Sequence, residues 1–150
     1  MRRAHIDLTV ACDGCVVPVR PAFIRWCKAA LADTEGSVRV GLRIVAESEA
    51  AELNTRFRGR TGPTNVLSFP YDDAPLGKIR FLGDIVICAP LVKAEALKAG
   101  RPENDHWAHL VIHGILHLQG FDHETDQDAR VMEARETRIL TGMGFTDPYQ

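Results

Sequence analysis

The chain has 150 residues, of which 45% are hydrophobic and 25% charged, and its formal net charge at pH 7 is −2. These values predict one globular domain over residues 1–150, long enough to bury a core without disulfide bonds, and they argue against a general polyanion-binding surface. No apolar run is long enough for a transmembrane helix, and the N-terminus lacks the apolar stretch of a signal peptide, so we expect a cytoplasmic protein with no membrane partner.

Helix-like and strand-like patterns alternate through the first half of the chain. Alternating apolar residues predict strands, and apolar residues spaced three or four apart predict helices. A serine followed by acidic residues is typical of a helix N-terminus, and a glycine is typical of its end. The predicted elements are a strand over 6–12, a helix over 22–32, a strand over 37–46 and a helix from an N-cap at Ser48 to Arg58.

The second half contains two strand patterns joined by a short link, followed by three helix patterns. The elements are a strand over 64–72, a strand over 79–89 broken at Gly83, and helices over 90–100, 103–120 and 129–140, the last opened by a capping box over 125–128. The short link predicts an antiparallel pair, and Pro70 indicates the end or edge of a strand. We therefore predict an α+β fold with about four strands in a mixed sheet, covered by about five helices.

The four cysteines predict neither a metal cluster nor a redox site. Cys27 and Cys88 lie in apolar runs and are predicted to be small buried side chains. Cys12 and Cys15 form a C-x-x-C pair, but there is no second pair of ligands and no helix opens at the motif.

Five of the six histidines lie between residues 106 and 123. His113 and His117 are four residues apart, so on a helix they share one face and can bind the same ion. Gly120 permits a left-handed turn, after which His123 can return as a third ligand. The spacing matches the H-E-x-x-H-x-x-G-x-x-H pattern of zincin-like proteases, and it predicts one zinc ion per chain.

One position departs from the protease pattern. Gly114 stands where such a protease has its glutamate general base, so peptide hydrolysis is disfavoured. Three protein ligands leave a coordination position open, which is typical of a catalytic zinc rather than a structural one. His109, one turn upstream of His113, is predicted to hydrogen-bond as an outer partner that selects the tautomer of a ligand.

Beyond this motif, several segments resemble the YbeY endoribonucleases, which are bacterial rRNA maturation factors. The similarity covers most of residues 44–149. The segments are LNTRFRGRTGPTNVLSFP (53–70), FLGDIVI (81–87), HWAHLVIHG (106–114), HGILHLQGFDH (113–123) and GMGFTDPY (142–149). Thr61 differs from the acid often found in that loop of the family.

The resemblance implies a zinc-dependent endoribonuclease specific for single strands, acting in small-subunit rRNA maturation and ribosome quality control. It implies partners in the small ribosomal subunit and its associated factors. It places the metal ligands at His113, His117 and His123 and the key arginine at Arg58, within the acid-free stretch NTRFRGRTG. A guanidinium is suited to this role because it grips phosphoryl oxygens in a bidentate manner.

Two alternatives remain open on sequence grounds. The first is a metalloprotease-like hydrolase, which Gly114 disfavours. The second is a non-catalytic ribosome-assembly factor with a structural zinc, which a cysteine or carboxylate as fourth ligand would favour. Three histidines also leave open zinc, nickel and other borderline metals, and the attacking nucleophile.

Overall fold

The computed structural model describes residues 3–71 and 79–149, which form four strands and five helices. The strands are β1 (Ala4–Ala11), β2 (Ser37–Val45), β3 (Val66–Pro70) and β4 (Ile79–Cys88). The helices are α1 (Arg20–Ala30), α2 (Glu47–Arg58), α3 (Ala89–Ala99), α4 (Glu103–Leu118) and α5 (Asp126–Gly142).

The strands form one mixed sheet in the order β1-β2-β4-β3. β1, β2 and β4 are parallel, whereas β3 pairs antiparallel with β4. The predicted mixed α+β architecture is therefore confirmed, and Pro70 ends the edge strand, where its missing N–H costs no ladder hydrogen bond. The strand predicted over 64–72 is shorter than expected, because it begins at Val66 and Tyr71 is no longer part of it, while residue 72 lies outside the described residues.

Each face of the sheet carries its own apolar cluster because side chains alternate along a strand. On β4, Ile85 and Ile87 join the main core, which also contains the buried face of α4. Val86 and Cys88 point the other way, toward a smaller cluster that includes Ala50 of α2. Helix α4 is thereby held against the centre of the sheet, and α2 lies over the opposite face.

Helix α4 is also anchored by aromatic packing at the centre of the main core. Phe23 of α1 makes edge-to-face contacts with Trp26 and with Trp107 of α4, at centroid distances of 5.6 and 5.5 Å. All three side chains are essentially inaccessible to solvent. Buried aromatic pairs of this geometry add to the burial of apolar area, so the first half of α4 is firmly positioned.

Two predicted helix starts require correction. Helix α2 has Ala46, not Ser48, at its N-cap, and no side chain caps it. Ser48 lies within the first turn, because the helix already begins at Glu47, with only Ala46 between it and β2. Helix α5 begins at Asp126, three residues before the predicted range, although the predicted capping interaction is present: Asp128 N donates to Thr125 Oγ1 at 3.0 Å.

The predicted break in β4 at Gly83 is also wrong, because the strand continues through a bulge. Arg39 pairs with Phe81 and Val40 with Gly83, which leaves Leu82 as the extra residue. Gly83 has φ 147°, and a Cβ there would lie 2.3 Å from the carbonyl oxygen of Phe69. The glycine thus permits the bulge and the close approach of β3, and pairing resumes beyond it.

The cysteines follow the prediction only in part. Cys27 and Cys88 are buried and free, as expected. Cys12 and Cys15, for which neither a metal nor a redox role was predicted, are joined as a disulfide in the turn after β1. Among the residues in 3–71 and 79–149, no helix is long and apolar enough to cross a membrane.

Candidate metal centre

Helix α4 presents His113 and His117 side by side on its partly exposed face. Between them, Ile115 and Leu116 are buried, so the helix cannot turn this face toward the sheet without exposing its apolar side chains. The two Nε2 atoms are 3.1 Å apart. Two nitrogens each about 2.0–2.1 Å from a tetrahedral zinc would be about 3.3 Å apart, so the spacing suits one shared ion.

A turn at Gly120, after α4, returns the chain to the helix face that carries His113 and His117. Gly120 has φ 98°, a conformation that other residues rarely adopt, and His123 follows three residues later. The ring of His123 lies 5.1 Å from that of His117 and 5.8 Å from that of His113, centroid to centroid. The three predicted ligands are thus brought together, with ligand atoms within 4.8 Å of one another.

The surroundings of His117 favour the neutral form of its imidazole, which is the form that binds a metal ion. Burial lowers the pKa of His117, and the neighbouring His113 and His123 lower it further. His117 therefore remains neutral to lower pH than an ordinary histidine, with a lone pair available to a cation. Three neutral imidazoles form a donor set that suits zinc and other borderline metals.

A buried acid lies directly behind the histidines and was missed by sequence reasoning. Glu136 of α5 is 0% exposed. Its Oε1 lies 3.3 Å from Nδ1 of His113 and accepts a hydrogen bond from the Tyr149 hydroxyl at 3.0 Å, while its Oε2 contacts Nε2 of His109. His109 was predicted to bond a metal ligand, but it bonds the carboxylate that contacts the ligand.

The ionisation of this cluster follows from its contacts. Burial by itself raises the pKa of Glu136, but hydrogen bonds from His109 and His113 outweigh burial and hold the pKa at about 2. Burial and the adjacent carboxylate raise the pKa of Tyr149 above its usual range. The acid is therefore an acceptor and the phenol a donor at neutral pH.

Gly114, the position of the missing protease base, is closely packed against the sheet. A Cβ at this residue would lie 3.0 Å from two carbon atoms of Ile85. Ser68 of β3 donates a hydrogen bond from Oγ to the Gly114 carbonyl at 3.4 Å. The absence of a side chain is what allows α4 to approach β3 and β4.

This packing leads to a prediction for Gly114→Glu, which introduces a protease-like glutamate after the first histidine. We expect the free energy of unfolding to fall by on the order of 3 kcal/mol, since the change overpacks the core and buries a carboxylate. Urea denaturation measures this loss. Gly142→Glu is the control, because a Cβ there meets nothing within 4 Å. A stable Gly114→Glu variant with peptidase activity would contradict the prediction.

Arg58 lies on a different element from the histidines. It is the last residue of α2, and Gly59 ends the helix with φ 64°. The side chain is exposed, and within the described part of the chain no hydrogen bond or ion pair joins it to another residue or to the three histidines. Of its neighbours, Arg56 lies over the ring of Phe57 at 5.7 Å. A direct link between Arg58 and the histidines remains a prediction.

The fold and the site together define a class of protein: an α+β domain in which a helix and a glycine turn assemble three histidines suited to one metal ion. The sequence model of the endoribonuclease YbeY family matches residues 19–144. The chain therefore belongs to the endoribonuclease YbeY family.

Individual relatives agree with the family match. The endoribonuclease YbeY of Nitrosococcus oceani is 48% identical, covering 97% of this chain and 96% of its own. That of Alkalilimnicola ehrlichii is 50% identical, covering 89% and 83%, respectively. A Thermotoga maritima protein solved in solution is 24% identical, covers 100% of this chain and 99% of its own, and has a TM-score of 0.58, which supports the fold.

Proposed function

We propose that this protein is a zinc-dependent endoribonuclease and that a single domain over residues 1–150 carries the activity. One zinc ion per chain is held by His113, His117 and His123. The observation that carries the proposal is the composition of this group: among the described residues, it contains three histidines and no cysteine or carboxylate. Such a ligand set leaves a coordination position for substrate, as in catalytic zinc sites.

The substrate is single-stranded RNA, and the setting is maturation of small-subunit rRNA and ribosome quality control in the cytoplasm. Family membership supports the RNA substrate, since the matching relatives are named endoribonucleases. The small ribosomal subunit and its associated factors are the proposed partners. A net charge of −2 suits a specific RNA site better than a surface that binds polyanions in general.

Two groups are proposed to serve phosphodiester cleavage. His113, His117 and His123 would hold the zinc ion, which would supply Lewis acidity to polarise a phosphoryl oxygen and stabilise the negative charge of the transition state. Arg58 is the proposed catalytic cation, which grips phosphoryl oxygens through its planar guanidinium. Its exposed and unpaired side chain is free to reach bound RNA, because no acid within the described residues holds it.

The two alternatives have less support. A structural zinc calls for a fourth protein ligand, and the histidine group includes none within the described residues. A metalloprotease calls for a general base after His113, whereas Gly114 has no side chain, and a Cβ there would lie 3.0 Å from Ile85 and require that side chain to shift.

A direct assay separates these functions. The purified protein loaded with zinc should cleave an unstructured single-stranded RNA and leave an unstructured peptide intact. A chelator should stop RNA cleavage, and zinc should restore it, because the metal favours the transition state. Gel analysis of labelled RNA and mass spectrometry of the peptide measure the two outcomes. Proteolysis without RNA cleavage would favour the protease, and neither activity would favour the assembly factor.

A further inference from the structure

Among the described residues, Glu136 is the only acidic residue that is fully buried. It lies on α5, between Met132 and Leu140 on the face that packs into the core. Burying a carboxylate lowers the stability of the fold unless hydrogen-bond donors replace the water that its oxygens lose. Its retention among apolar neighbours therefore calls for specific partners, and the contacts supply three of them.

The hydrogen atoms in these contacts can be assigned. A carboxylate only accepts hydrogen bonds, so each partner must present a hydrogen to Glu136. A hydrogen on Nδ1 of His113, which lies 3.3 Å from Oε1, and a hydrogen on Nε2 of His109 would meet this requirement. With Nδ1 protonated, Nε2 of neutral His113 has a free lone pair, and this atom faces Nε2 of His117 at 3.1 Å.

We propose that Glu136 is a positioning residue that holds His113 in the Nδ1–H tautomer and aims its Nε2 lone pair at the metal. Tyr149 donates to the same oxygen, and His109 donates to the other, so the carboxylate is itself fixed in place. This inference rests on the proposed function, in that His113 is taken as a metal ligand. It adds α5 and the C-terminal segment to the metal centre.

The cluster of His109, His113 and Glu136 also has the composition of a separate metal site. A second ion there would have to displace the hydrogen from Nδ1 of His113 and break the contact between His109 and Glu136. The existing contacts already satisfy the carboxylate, with Tyr149 as a third donor. A hydrogen-bonded network accounts for the geometry with one ion, so the proposal specifies one zinc per chain.

The test replaces Glu136 by glutamine, which keeps the shape but removes the charge and can donate as well as accept. Zn²⁺ alone is the probe, and its affinity is measured by competition with a chromogenic chelator. We expect Glu136→Gln to bind Zn²⁺ about 10–100-fold more weakly, as is usual when an outer partner of a ligand is lost. Long-range ¹H–¹⁵N NMR of the metal-free protein should show the Nδ1–H tautomer of His113 in the parent and a mixture in the variant.

The controls separate this proposal from the proposed function. Glu133→Gln changes an exposed acid on the same helix and should keep the parental affinity. If His113→Ala loses zinc while Glu136→Gln binds it normally with the parental tautomer, the positioning role is wrong and the metal site stands. If His113→Ala binds zinc normally, the proposed metal site itself is wrong. Two zinc ions per chain in the parent would also overturn the single-ion network.

A milder variant covers the case in which Glu136→Gln fails to fold. Tyr149→Phe keeps the carboxylate and removes one donor to it, at a residue near the C-terminus that is partly exposed. We expect it to fold and to bind Zn²⁺ about fivefold more weakly, a smaller loss than in Glu136→Gln, because the carboxylate stays and loses only one of the donors that hold it in place. Parental affinity and an unchanged His113 tautomer in this variant would contradict the network.

Discussion

Replacing His117 with alanine should remove most of the bound zinc, from about one ion per chain to a small fraction, and with it RNA cleavage. His117 is central to the group, because its Nε2 lies 3.1 Å from that of His113 and its ring lies close to that of His123. Two remaining histidines make a much weaker site. Elemental analysis of the purified variant measures the loss, and circular dichroism checks that α4 is intact.

His106→Ala is the matched control for this experiment. His106 lies on the same helix, but its Nε2 contacts Glu95 of α3 at 2.8 Å rather than the three-histidine group. We expect this variant to keep its zinc and its cleavage activity. Full zinc occupancy in His117→Ala would refute the assignment of the metal ligands, whereas zinc loss in both variants would point to a general effect of disturbing α4.

Replacing Arg58 with alanine should lower kcat for RNA cleavage by on the order of 10²–10³ while leaving metal content and melting temperature unchanged. The rate effect is the usual cost of losing a preorganised charge contact to the transition state. The small stability effect, within roughly ±0.5 kcal/mol, follows because the side chain is exposed and holds no hydrogen bond or ion pair among the described residues. Arg58→Lys should restore little, because an ammonium cannot bind two oxygens in a fork.

The neighbouring arginines provide the controls for Arg58. Arg56 and Arg60 are also exposed, so their alanine variants should weaken RNA binding and its salt dependence while leaving saturated turnover nearly intact. Single-turnover kinetics at saturating protein separates the two effects. Equal losses of turnover in all three variants would mean that the arginines form a basic patch, and the specific role of Arg58 would be wrong.

The sequence by itself determined the features that depend on local periodicity. The spacing of His113 and His117 places both on one helix face, whatever surrounds that helix, and Gly120 permits the turn that returns His123. The mixed sheet also followed from local signals, since a short link joins β3 to β4 and alternating residues mark each strand. These predictions succeeded because each depends on a few consecutive residues.

Only the tertiary structure decided which distant residues meet. Glu136 is the clearest case: its place between Met132 and Leu140 on one helical stripe was a visible signal of a buried charge, but its partners on α4 and at Tyr149 could not be read from it. Likewise, the sequence shows that Gly114 is not a protease base, but only the structure shows that a Cβ at this position would lie 3.0 Å from Ile85. Such contacts join residues far apart in the chain, and their geometry depends on how α4 and α5 pack together on the sheet, which no local pattern encodes.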